Sequence, residues 1–171
     1  HRLSGHSGME WPFGSSLYSN YASGIWFAGI VDGSIRTAVA EYGSELVPGP
    51  WESDYNLPEH QLYAVNRSDL TDPLSSSDFQ NWPTHLGAPW VDEDSDGVYN
   101  PLPSGPDHPD FIGDQVIWYV INDGDVATHS NIFDTQPMGI EVRITIWGYN
   151  RTDAFGDMIF VKAQVFNKGG D

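Results

Sequence analysis

The sequence predicts an all-β fold, an antiparallel sandwich of the Ig-like or jelly-roll-like kind, on three observations. Eighteen glycines and twelve prolines among 171 residues interrupt the chain too often for long helices. Several segments rich in β-branched and aromatic residues carry strand periodicity. Between them lies a long stretch in which Pro, Ser, Asp and Asn dominate. The length suits one domain spanning 1–171, large enough to bury a core of its own.

The strand candidates follow in order. Residues 24–42, GIWFAGIVDGSIRTAVAEY, hold two β-rich runs around Asp32-Gly33, a pair that tolerates the positive φ of a tight type I′ hairpin. From Glu45 to Phe111 only QLYAVN (61–66) reads as regular structure. An irregular insert of that length is uncommon in a compact domain unless something orders it. DQVIWYVIND (114–123) is apolar on both faces, as a central strand would be. In IEVRITIWGYN (140–150), Ile140, Val142, Ile144 and Ile146 share one face, and Glu141, Arg143, Thr145 and Trp147 the other. In MIFVKAQVFNKGG (158–170), Ile159, Val161, Ala163 and Val165 are expected to point inward, with Lys162 and Gln164 outward.

Composition narrows the function. Twenty-four acidic residues against seven basic ones give a net charge of -17, a field that repels nucleic acid and anionic lipid and attracts cations. The chain has no cysteine, which excludes disulfides, thiolate metal sites and a Cys nucleophile. No run approaches the roughly 20 apolar residues that cross a bilayer as a helix.

The acid is concentrated in VDEDSDGVYNP (91–101), where Asp92, Asp94 and Asp96 alternate and Gly97 follows. Carboxylates at loop positions one, three and five converge on one point as the chain wraps it. Glycine at six permits the bend, and the next residue, Val98, offers a backbone carbonyl. This is the pattern a hard, oxygen-seeking cation requires, and Ca2+ suits a flexible set of carboxylates better than Mg2+. The twelfth place, a bidentate Glu in a helix–loop–helix calcium site, is Pro103, which excludes that motif. The remaining ligands are sought downstream at Asp107, Asp110 and Asp114. Such an ion is expected to order the irregular middle of the chain.

Several blocks together carry a resemblance. WPFGSSLYSNYASGIWFAGIVDGSIRTAVAEYGSELVPGP, DEDSDGVYNP, GDQVIWYVIND, MGIEVRITIWGYN and DMIFVKAQVFNKG resemble, in this order, blocks of large secreted proteins of Bacteroidetes-type bacteria that end in a type IX secretion sorting domain. The resemblance runs from about Glu10 to Gly169. It implies an extracellular or cell-surface β-protein, calcium-bearing, with no established catalysis. Proteins of this kind continue past the FNKG block into further strands. The expectation is therefore a fragment or processed part of a longer precursor, and a structural role as a self-assembling or filament subunit. A strand ending in Asn167-Lys168-Gly169-Gly170 reads as half a hairpin. Its open edge would pair with another copy of the chain or with the rest of the precursor.

Two rival readings come from other residues. Seven tryptophans and eight tyrosines make the chain aromatic-rich. Trp51, Trp82 and Trp90 lie in the irregular middle, where exposed rings would stack on sugars in a carbohydrate-binding adhesion module. A polysaccharide-active enzyme ranks third, with His1 and a second histidine as a copper chelate. GHSGM (5–9) departs from the serine-hydrolase elbow at Met9, and no strand precedes it. Asn66-Arg67-Ser68 and Asn150-Arg151-Thr152 match the N-glycosylation sequon, a coincidence in a bacterial chain.

Overall fold

A computed structural model describes residues 9–12, 14–20, 23–40, 44–129 and 132–169. The expectations attached to His1, His6 and Gly170 lie outside these residues. The protein is mostly β, with its strands in several sheets and helix confined to short turns. The chain falls into two compact units, which are described separately.

The first unit comprises the described residues of His1–Val47, Asp123–Gly139 and Gly169–Asp171. Strands β1 (Met9–Glu10) and β2 (Tyr18–Asn20) pair antiparallel. Strands β3 (Trp26–Val31) and β4 (Ser34–Val39) form the hairpin read from the sequence, with Val31 opposite Ser34. Asp32 and Gly33 turn it at φ of 51° and 75°, the left-handed pair that a two-residue loop needs. Two buried carboxylates replace missing strand partners here. Glu45 accepts the Val39 N–H at 3.1 Å and the Phe133 N–H at 3.0 Å. Asp123 accepts the N–H groups of Met138 and Gly139, and the ring Nε2 of the buried His129 stands 3.3 Å from it.

Strand β5 (Val47–Pro48) lies where the chain passes into the second unit, Pro48–Asn122 with Ile140–Lys168. That unit holds β6 (Tyr63–Asn66), β7 (Trp90–Val91), β8 (His108–Pro109), β9 (Gln115–Asn122), β10 (Ile140–Gly148) and β11 (Ile159–Asn167). Strand β9 is central, antiparallel to β10 on one edge and to β6 on the other. Val116, Trp118 and Val120 on its alternate positions are buried, while Ile117, Tyr119 and Ile121 are half-buried. Strand β10 also buries both faces: Val142 and Ile144 on one, Glu141 and Thr145 on the other. The Glu141 charge is met by Arg143, by Lys168 at 3.6 Å and by the Trp51 N–H at 3.1 Å. A buried carboxylate is tolerated on those terms.

Two expectations are corrected. On β11 the residues expected inward are exposed, as Lys162 and Gln164 are, with Ile159 62%, Val161 58% and Val165 50% accessible, and only Phe160 and Phe166 are half-buried. Among the described residues, β10 is the one strand that pairs with β11. The irregular middle, in turn, carries its own apolar anchors. Phe79, Trp82, Leu86 and Ala88 join Tyr63, Val65, Val116, Trp118 and Val120 in one core. Short turns deliver them: a helical turn over Ser77–Gln80, capped by the Ser76 hydroxyl on the Phe79 N–H, and a 3-10 turn over Thr84–Leu86. Phe79 has no exposed surface. Phe79→Ala is therefore expected to destabilise the protein by about 3–5 kcal/mol in urea denaturation, the usual cost of emptying a buried aromatic site.

Candidate metal centre

The acidic run leaves β7 and the chain returns through β8, with Trp90 opposite Pro109 and Val91 opposite His108. These two short strands close a loop from Asp92 to Asp107. Within it the backbone makes few bonds to itself, and side chains take over. Asp92 accepts the N–H of Asp96 at 3.2 Å and that of Gly97 at 3.0 Å. Asp94 accepts the Asp96 N–H at 3.3 Å. Asp96 accepts the Val98 N–H at 2.7 Å and the Asn100 amide at 3.3 Å. Ser95 and Gly97, at φ of 62° and 76°, provide the left-handed bends that fold the run back on itself.

Asp107 fixes the floor. It has no exposed surface, and its two oxygens accept the Glu93 N–H at 3.1 Å and the Asn100 N–H at 2.9 Å. One side chain thus ties the start of the loop to its far limb. Asn100 sits close enough to Gly105 that a Cβ there would meet its Oδ1 at 2.2 Å, so the backbone turn needs glycine. Tyr99 anchors the limb to the core, donating its hydroxyl to the Phe79 carbonyl at 2.7 Å and meeting Trp90 edge to face at 5.5 Å. Burial pushes the Tyr99 phenol well above its ordinary value, and the nearby Asp107 charge pushes it further.

Asp92, Asp94, Asp96 and Asp107 come together, with one oxygen from each lying within 4.8 Å of the others. Oxygens gathered this closely could hold a metal ion between them. Among the described residues no lysine or arginine forms an ion pair with the four.

Asp110 and Asp114 are not among these four. The Asp114 carboxylate accepts the Asn150 N–H at 2.8 Å and stands 3.8 Å from Arg67 Nε. Asp110 closes the β7–β8 end of the loop through its N–H, donated to the Pro89 carbonyl at 3.1 Å. Val98 donates its N–H to Asp96, with its side chain 62% exposed. Of the tryptophans expected to stack on sugars, Trp82 is corrected: it is 2% exposed and donates its indole N–H to the Pro89 carbonyl, as a core residue. Trp51 and Trp90 are half-buried. The aspartate pattern does not mark Tyr99 or Asn100, although the proline after Asn100 disfavours helical backbone there. No family model, curated protein or solved structure matches the chain.

Two outcomes are expected. Asp107→Ala strips acceptors from two loop N–H groups and should cost on the order of 2–4 kcal/mol in chelator-treated protein, whereas the exposed Asp94→Ala should change stability by under about 0.5 kcal/mol there. Chemical denaturation with chelator present checks both. The phenols of Tyr63, Tyr99 and Tyr119 are all raised by burial. A raised phenol stabilises the fold fully below its unfolded value near 10, and that contribution is lost as pH climbs toward the folded values. Ultraviolet titration should therefore find late-ionising tyrosines that deprotonate together with alkaline unfolding, fewer by one in Tyr99→Phe.

Proposed function

We propose that this chain is an extracellular structural module of a cell surface, closed at its acidic turn by Ca2+ and assembled through the edge of β11. The observation that carries the reading is Asp107, a buried carboxylate held by two loop N–H groups and grouped with the half-buried Asp92 and the exposed Asp94 and Asp96. Calcium is favoured over magnesium because several carboxylates and backbone carbonyls of one loop suit six to eight oxygen ligands. A largely exposed carboxylate set suits the calcium affinities of extracellular modules, about 10⁻⁴–10⁻³ M. The resemblance to secreted Bacteroidetes-type surface proteins supplies the setting. A sandwich is the finer architecture proposed, supported by the alternating burial along β9.

Carbohydrate adhesion is the second reading. A cleft of about 690 Å3, bordered by Asn66, Arg67, Asp114, Gln115 and Asn150 beside Tyr149, favours it, since amides and carboxylates are the usual partners of sugar hydroxyls. Binding assays on soluble and insoluble polysaccharides test this, and uniform failure removes it.

Calcium stabilises only insofar as the folded loop gathers the ligands. At a calcium concentration 100 times Kd the gain is about 2.7 kcal/mol, or a rise in Tm of about 5–10 °C for a chain of this length. Thermal melts with calcium and with chelator should differ by that amount. Asp94→Ala should abolish the difference, while an unmoved Tm in the unaltered protein overturns the calcium reading.

A further inference from the structure

We propose that the open edge of β11 pairs antiparallel with β11 of a second copy, about a two-fold axis through Ala163. This deepens the assembly proposed above and rests on it.

The sequence of β11 is self-complementary. Phe160-Val161-Lys162-Ala163-Gln164-Val165-Phe166 reads the same in both directions except that Lys162 mirrors Gln164. A two-fold axis normal to a sheet joins residues of the same face, so it must pass through a residue rather than between two. Through Ala163 it sets each Phe160 opposite Phe166 of the other copy, each Val161 opposite Val165 and each Lys162 opposite Gln164. The smallest side chain lies on the axis, where it faces itself. Moved to Lys162, the axis would oppose two ammonium groups. Moved to Gln164, it would put Lys162 against Phe166. The Ala163 register is the favourable one, since opposed apolar pairs stabilise a sheet and opposed like charges do not.

The exposure of the strand fits such a contact. Ile159, Val161 and Val165 are each at least half exposed, opposite Gly148, the half-buried Ile146 and the buried Val142 of β10. On this face, opposite that of Trp118 and Val120, apolar surface therefore runs from Val142 and Ile144 out to β11, as a sheet interrupted between two copies would. On the opposite face Phe160 stacks on Trp147 at 5.5 Å, and Arg143 lies 4.6 Å over the Phe166 ring, so both aromatics are already ordered.

Charge points the same way. In a chain of net charge -17, β11 contains Lys162 and no acidic residue, with Arg143 and Lys168 beside it. A strand free of carboxylates lowers the repulsion that two such acidic copies would meet. A two-fold contact also covers both open edges at once, so this pairing stops at two copies and blunts the aggregation hazard of a long edge strand.

The test is sedimentation of the full chain over a range of concentrations with calcium present, on the unaltered protein and two double variants. Val161→Lys with Val165→Lys opposes like charges across the axis and should weaken the dimer at least tenfold (~10-fold or more). Val161→Lys with Val165→Glu opposes unlike charges and should retain it. Circular dichroism of each variant checks that the fold is kept. Because the chain lacks cysteine, Ala163→Cys introduces a single thiol at the axis. With a mild chemical oxidant added to accept the two electrons, it should form a disulfide-linked dimer faster than Lys162→Cys. An unaltered protein that stays monomeric throughout overturns both the dimer and the assembly reading. Association that ignores the charge pattern, or equal cross-linking at the two positions, overturns the Ala163 register and leaves assembly by another contact.

Discussion

Backbone N–H groups that cannot enter a sheet still need acceptors, and in this protein carboxylates supply them. Asp107 is the clearest case, closing the acidic loop by accepting from Glu93 and Asn100 with no exposed surface of its own. Glu45 does the same for Val39 and Phe133, and Glu141 for Trp51. Asp78 accepts from Ala64, and Asp69 from Asn66. A chain rich in turns has many such donors, and leaving one buried and unmet costs about 1–3 kcal/mol. Part of the acidity is thus a structural requirement of the loops rather than a surface coating.

That requirement has an electrostatic consequence. Carboxylates recruited to order a loop accumulate charge wherever loops converge, and at Asp92, Asp94, Asp96 and Asp107 they converge with no Lys or Arg ion pair among the described residues to offset them. A carboxylate oxygen that accepts one N–H bond retains a lone pair for a metal. The same geometry that satisfies the backbone therefore prepares an oxygen cage, and a divalent ion would relieve the repulsion that the hydrogen bonds leave in place. The loop does not depend on the ion for its whole shape, because Tyr99, Phe79 and Trp82 tie it and its surroundings to the core.

The strands were legible where periodicity and turn chemistry agreed. Asp32-Gly33 marks its hairpin, and the two-faced apolar run of β9 marks a central strand. Alternation in β11 was legible too, but alternation alone cannot say which face another element covers, and the residues taken as inward are exposed. The middle was the larger misreading. Phe79, Trp82 and Leu86 stand at i, i+3 and i+7 behind the Ser76 cap, a helical spacing that Pro83 and the surrounding Ser, Asp and Asn disguise. At the acidic turn, adjacent spacing identified Asp92, Asp94 and Asp96. Asp107 could not be told from Asp110 or Asp114, since the path of the loop, not the residue type, decides which carboxylate returns to the turn.

The most direct measurement is a high-resolution crystal structure of the protein grown in millimolar calcium, with anomalous scattering to locate the ion. A calcium peak about 2.3–2.6 Å from oxygens of Asp92, Asp94, Asp96 and Asp107, with Asp107 still bonded to the Glu93 and Asn100 N–H groups, is the expected result. Water alone among those four side chains, or an ion bound elsewhere while Asp107 faces away from the turn, would contradict the account.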